Sequence, residues 1–332
     1  MTAPATPWHL PEDEDPRFLE FAAEPRAAVR TASLAGGRAV GYGNIFTADG
    51  VLVDDATPRY RTGCFPDRHT LLSGECKIPP ARYIDGRVFA LIGMWPDTYY
   101  HWLYHILPKA LLVDRAAWDF VYTRRATRFQ EEYLAALGIE ADRVLPAGPD
   151  THVQARELIV ASNLTWLPAP VCASLAAFGR RICRGPVAGA RRRRIYVRRE
   201  EAPNARGVEN EAELLRFLGD EGFESILLES LPVAAQMELF AEADFVAGPH
   251  GSGIGNAVFG SPPLGVMEFF DPGYVHPCNW AQLAGLGIRY GYVLGRGGTP
   301  AGSGFLERMR RPMTVDVDKV RRLYSAMCEA RR

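Results

Sequence analysis

Apolar positions along the chain change their period near residue 99. Before it they come in short runs broken by turn residues. Asn44-Ile45-Phe46 and Val51-Leu52-Val53 flank Asp49-Gly50, and residues 81–84 and 87–92 flank Asp85-Gly86. Both Asp-Gly signals predict β-hairpins. From Tyr99 the spacing lengthens. Trp102, Ile106, Leu107, Leu111 and Leu112 fit one helical face, with Pro108 expected to kink or restart the helix. Short strands at 120–122, 144–145 and 157–160 then alternate with a helix over 129–137 that Gly138 ends. Residues 163–170 break the pattern, and a helix follows at 173–183.

Past residue 194 the alternation is regular. Strands are predicted at 194–197, 225–228, 245–247, 265–269 and 288–294; among the helices between them, one is capped by Asn210 and one opens at Pro232. Short strands separated by helices are what a parallel sheet covered on both faces requires. Residues 1–26 read as an arm tacked down by Trp8 and Phe18, and 315–332 as an amphipathic helix packing back on the body. The expected class is α/β in two domains, 27–175 and 190–314, with antiparallel strands added to the first. Their boundary falls between Pro168 and Arg191, across a flexible 185–190.

The chemistry concentrates after the run 245–247. There the chain reads Gly248-Pro249-His250-Gly251-Ser252-Gly253-Ile254-Gly255-Asn256. Glycines let the backbone turn tightly and bring amides close to an anion, and a helix starting near Ser252 aims its free N–H groups at the same place. In open α/β sheets ligands gather outside the carboxyl ends of strands. Arg198 and Arg199 stand at one such end, His250 and its glycines at another, and Glu268 at a third. That division suits a nucleoside diphosphate, with cations and amides for the pyrophosphate and Glu268 for ribose hydroxyls. The glycine spacing is wrong for a dinucleotide fingerprint, and Ser252 lacks a nucleophile-elbow context.

The ordered set of these features resembles glycosyltransferase family 61. It is carried by Ile195-Tyr196-Val197-Arg198-Arg199, Asn210-Glu211, Gly222-Phe223, Gln236 and the glycine turn with Asn256, and upstream by Tyr100-His101-Trp102-Leu103 with Leu107-Pro108. The resemblance implies two Rossmann-like domains facing a cleft (the GT-B type) and an inverting, metal-independent transfer from a UDP-sugar to a glycan hydroxyl. No cofactor beyond that donor is implied. It places Arg198, Arg199, Arg206, His250, Gly251, Ser252, Gly253, Asn256 and Glu268 around the donor, and Tyr100 and Trp102 at the acceptor. Family members often carry two arginines before Asn-Glu, where this chain has Ala205-Arg206. Many also carry an acid where this chain has His105, which makes His105, or His101 one turn earlier, the candidate base, with Arg206 stabilising the leaving group. The alternatives are a histidine pair serving structure, a non-catalytic nucleotide or sugar binder, and another nucleotide-dependent enzyme.

Composition adds mainly exclusions. With 332 residues, 47% hydrophobic and 23% charged, the chain reads as folded and globular. A net charge of −1 gives no argument for nucleic acid, and the basic runs 191–194 and 308–311 face solvent or an acidic partner. Cys64, Cys76, Cys172, Cys183, Cys278 and Cys328 include no zinc-type pair, and the spacing leaves a Cys64–Cys76 disulfide open. No apolar run is long enough to span a membrane, and the Pro-rich acidic start lacks the sections of a signal peptide. A cytoplasmic enzyme of surface-polysaccharide synthesis, with room for a peripheral membrane contact, is the resulting expectation.

Overall fold

The chain divides between Leu167 and Pro168 into two α/β units: Arg26–Leu167, and Pro168–Arg332 joined by Met1–Pro25. The computed structural model describes residues 6–24, 29–58, 68–74, 77–183, 193–199, 206–297 and 304–330. The Cys64–Cys76 pairing, residues 185–190 and Arg191 lie outside them. No described helix is long and apolar enough to cross a membrane.

The unit Arg26–Leu167 carries a mixed sheet of β1 (Thr31–Ala35), β2 (Arg38–Val40), β3 (Asn44–Phe46), β4 (Arg82–Ala90), β5 (Phe120–Thr123), β6 (Val144–Pro146) and β7 (His152–Ala161). The order is β3-β2-β7-β4-β5-β6, with β1 also paired to β7. β4, β5, β6 and β7 run parallel, and β1 to β3 add the expected antiparallel strands. The Asp49-Gly50 turn forms in miniature, closed by a bridge between Phe46 and Leu52. The second hairpin does not form. Asp85-Gly86 lies inside the single strand β4, whose pairing with β7 shifts register between Ile84 and Arg87. Pairing with β7 on both sides of the dipeptide outweighs its local turn preference, leaving a bulge. The apolar end Val88–Ala90 is buried on both faces, as a parallel strand between neighbours must be.

Pro108 restarts the helix as expected, standing in the first turn of the α-helical segment Leu107–Leu112. Residues 99–112 run on as helix, with Trp102–Ile106 widened into a π turn in which the Leu107 N–H reaches back to the Trp102 carbonyl. Proline lacks the N–H for an ordinary turn and its ring would clash with the carbonyl four residues back; one wide turn removes both problems.

The second unit holds β8 (Arg193–Val197), β9 (Phe223–Ile226), β10 (Ala243–Pro249), β11 (Gly265–Phe270) and β12 (Arg289–Leu294). All pairs are parallel, in the order β12-β11-β10-β8-β9. In order of succession this is 2-1-3-4-5, a doubly wound sheet whose strand order reverses between β8 and β10. The helix Ala169–Ile182 packs here, so residues 168–175, expected in the first domain, ride on the second. Pro168 and Pro170, expected to break the chain, form its cap and first turn, where a missing N–H costs nothing. Trp8 bridges Gly291 on β12, and Phe18 stacks on Tyr292 with ring centroids 4.1 Å apart.

The terminal helix Val317–Glu329 seals the sheet through Val320, Leu323, Tyr324 and Met327. Tyr324 meets Phe223 and Phe245 edge-on, with centroids at 5.6 and 5.0 Å. Tyr324→Ala should therefore cost this unit about 3 kcal/mol, the usual toll for truncating a buried aromatic. The check is urea denaturation; a loss below about 1 kcal/mol would mean the helix contributes little to the core.

Candidate functional site

The switch point of the second sheet brings Arg199, beyond β8, onto the turn beyond β10. The Arg199 guanidinium donates from Nη1 to the His250 carbonyl at 2.7 Å. A Cβ on Gly251 would lie 2.4 Å from that same nitrogen, so a larger residue there would push the Arg199 guanidinium off this position. Gly248 is needed for a similar reason, since its Cβ would stand 2.9 Å from the Val197 carbonyl oxygen. Gly251 has extended backbone, and the chain then enters a 3-10 helix, Ser252–Phe259. The first N–H groups of such a helix have no partner within it. Ser252 and Gly253 are half-buried at this opening.

Beneath the turn lies a closed polar network. Glu268, on β11, has no exposed surface. Its Oε1 accepts from His250 Nδ1 at 2.6 Å and Asn279 Nδ2 at 2.8 Å, and its Oε2 from the Tyr290 hydroxyl. Asn279 Nδ2 also reaches the Gly251 carbonyl at 3.3 Å. With Nδ1–H held by Glu268, His250 presents Nε2 as its remaining hydrogen-bonding atom. Its ring stacks on Phe270 at 4.9 Å. Burial pushes the His250 pKa below its usual value; Glu268 opposes that shift, and Arg206 and Arg199 add to it. Burial, helped by Arg206, also lowers Arg199 to about 10.

Arg206 completes the cluster, its guanidinium carbon 4.9 Å from the centre of the Tyr274 ring. Its Nε and Nη1 are buried and have no hydrogen-bond partner among the described residues. Two cations, an imidazole and the start of a helix thus converge where strand order reverses, an arrangement suited to an anion.

Three residues expected at the donor have their polar groups engaged by protein partners, two of them in the interior and Arg198 at the surface. Glu268 is sealed beneath His250 with both oxygens occupied, so it orients the imidazole and is not open to ribose hydroxyls. Asn256 is fully buried and donates to Gln236 Oε1 at 2.9 Å; Gln236 in turn donates to the carbonyls of Leu228 and Leu231. Arg198 departs from Arg199 and pairs with Glu211 at 3.2 Å, the carboxylate that also accepts from Tyr196. Of the basic run 191–194, Arg193 pairs with Glu224 at 2.5 Å across the neighbouring strand. Asn279, Tyr274 and Tyr290 were not singled out by the sequence; the only signal was that Tyr274 follows a Pro-Gly turn beyond a strand end.

In the other unit, His101 and His105 share the helix 99–112, and their Nδ1 atoms are 3.0 Å apart. One must donate and the other accept, so a single proton lies between the rings. His105 is buried, and burial lowers His101 to about 4. Tyr100 and Trp102, expected to stack on an acceptor, are buried: Tyr100 lies against Tyr104, and Trp102, wholly enclosed, against Phe129. Lys109, also enclosed, donates to the Ile92 carbonyl at 2.7 Å, and burial lowers its pKa to about 7. Among the described residues no three His, Cys, Asp or Glu side chains are grouped to hold a metal ion.

A doubly wound parallel sheet with Arg199, Arg206 and His250 gathered at its switch point defines an α/β protein of the Rossmann-like kind. The family model described as Glycosyltransferase 61 matches residues 99–267, just over half of the chain, and the chain belongs to glycosyltransferase family 61. That span contains the histidine pair, Arg199, Arg206 and His250, with Glu268 one residue beyond. No curated protein matches the chain.

His101 also links to stability. Its pKa in the folded state lies below the 6.5 of a free imidazole, so the buried neutral ring contributes fully above pH 6.5. That contribution is lost as pH falls toward 4. Wild type should lose on the order of 3 kcal/mol more than His101→Asn between pH 7 and pH 4. Urea denaturation of both proteins across this range checks it; parallel curves would mean His101 is not held neutral by burial.

Proposed function

We propose that the protein is an inverting glycosyltransferase that moves a sugar from a UDP-sugar to a glycan hydroxyl without a metal ion. The observation that carries the reading is the cluster at the β8–β10 switch point, where Arg199, Arg206 and His250 converge inside a family-61 chain. A leaving diphosphate develops negative charge, and preorganised donors in a poorly hydrated site stabilise such charge strongly. The Arg206 Nε and Nη1, without a hydrogen-bond partner among the described residues, supply donors for an anion, which supports phosphate binding and metal independence. Ser252 and Gly253, at the start of the 3-10 helix, offer backbone N–H groups to the same anion. As charge grows on the phosphate, His250 takes up a proton and becomes a donor at Nε2, while Glu268 holds the opposite nitrogen.

The presence of a further α/β unit, Arg26–Leu167, favours a two-domain GT-B reading in which that unit holds the acceptor and the base. The His101–His105 pair is the base. His101, the less buried of the two, takes the hydroxyl proton, and the proton between the Nδ1 atoms lets His105 share the charge. One observation favours a second reading, a nucleotide-sugar binder without turnover: a histidine driven to about 4 is a weak base at neutral pH.

Two measurements decide among these readings. Arg206→Met should weaken UDP binding roughly ten- to a hundredfold by calorimetry, the value of one or two charge-assisted hydrogen bonds. Unchanged affinity would remove Arg206 from the donor site. His105→Ala should lower UDP release from a UDP-sugar with a mixed glycan acceptor by about 10²–10⁴-fold at intact UDP affinity. Turnover retained in that variant would remove His105 from the base and move the assignment to His101 alone or away from both, and UDP binding without turnover in wild type would select the binder.

A further inference from the structure

Trp95 stands on strained backbone beyond the carboxyl end of β4. Its φ is 50°, in the left-handed region where a bulky side chain is an outlier; among the described residues no other non-glycine residue has a positive φ. The conformation is enforced from both sides. Thr98 N–H bonds back to the Trp95 carbonyl at 2.9 Å, and buried Gln130 donates to the Pro96 carbonyl at 2.8 Å. Arg124 then clamps the Asp97 carboxylate through Nε and Nη2. Strain of this kind persists where surrounding structure over-determines it, and it clusters at functional sites. Here it does not serve the core, because the side chain is 42% exposed.

Its position points to a use. In the parallel part of this sheet β4, β5 and β6 step one way while β7 returns to the other side of β4, so strand order reverses between β4 and β7. Ligands of open α/β sheets bind outside strand ends at such a reversal. Trp95 lies beyond the end of β4, and its ring centre is 6.4 Å from that of His101, at an angle of 31°. A half-exposed indole, rigidly presented beside a histidine, offers a flat π face. The C–H face of a pyranose is apolar with slightly positive hydrogens, which match the negative face of an aromatic ring. Fixing the ring beforehand removes the entropy loss of ordering it on binding.

We propose that Trp95 is the platform on which the acceptor saccharide stacks, setting one of its hydroxyls beside His101. This rests on the reading of the unit Arg26–Leu167 as the acceptor side and replaces Tyr100 and Trp102, which are buried, in that role. Trp95→Gly separates binding from folding, because glycine adopts φ 50° without strain. Its stability to urea should equal or exceed that of wild type. Saturation-transfer NMR with trisaccharides of glucose, mannose, galactose and N-acetylglucosamine should show at least one bound by wild type through its axial ring protons. That affinity should fall about tenfold or more in Trp95→Gly and largely return in Trp95→Phe. UDP affinity, measured in parallel, should be the same in all three proteins. Equal saccharide binding by wild type and Trp95→Gly, or none by wild type, overturns the proposal. Failure of wild type to bind UDP would instead defeat the donor-site reading and leave the saccharide result to stand by itself.

Discussion

A buried carboxyl group beneath a glycine turn imposes the arrangement around it. Glu268 has no contact with water, and each of its acceptor sites left unmade would cost about 1–3 kcal/mol. Three donors from three segments meet that demand: His250 beyond β10, Asn279 in the helix Cys278–Leu283, and Tyr290 on β12. Satisfying the acid therefore fixes the imidazole tautomer, anchors a helix against the sheet, and through Asn279 holds the Gly251 carbonyl. The turn is shaped from below by this network and from above by Arg199.

Burial sets the chemistry of both units in the same direction. Water is withdrawn from Arg199 and His250 in one, and from His101 and Lys109 in the other, and each moves toward its uncharged form. In the second unit, Arg199 and Arg206 press further against a third positive charge on His250. An anion placed beside these groups would reverse that balance, because its charge restores what desolvation removed. Poorly hydrated cationic groups favour a negative charge before any shape is considered.

Much of the parallel architecture was legible in the chain. The runs 194–197, 245–247 and 265–269 stand in the sheet as β8, β10 and β11, because a strand buried on both faces leaves a continuous apolar signature. Asp85-Gly86 misled, since a two-residue preference is worth little against a ladder of pairs with β7. Pro108 marks the expected restart, in the first turn of Leu107–Leu112, while the π turn just before it follows from no local rule. His250, Gly251 and Arg199, singled out because strand ends and glycines have sequence signatures, do come together in the structure. Asn279 and Tyr290 were not singled out, because a hydrogen bond to Glu268 across eleven or twenty-two residues leaves no periodic trace, nor was Tyr274, whose ring lies under Arg206.

By itself the sequence determined the class, the alternation of strands and helices, and the family, all of which depend on residue types at short spacing. Only the tertiary structure decided roles. Adjacent Arg198 and Arg199 part, one to Glu211 and one to the glycine turn. Glu268 and Asn256 become scaffold because they are enclosed, while Trp95, unremarked in the sequence, keeps its indole at the surface. Whether a polar or aromatic side chain binds a ligand or supports a neighbour depends on which groups surround it and how much water remains. Those are three-dimensional quantities that spacing along a chain does not encode.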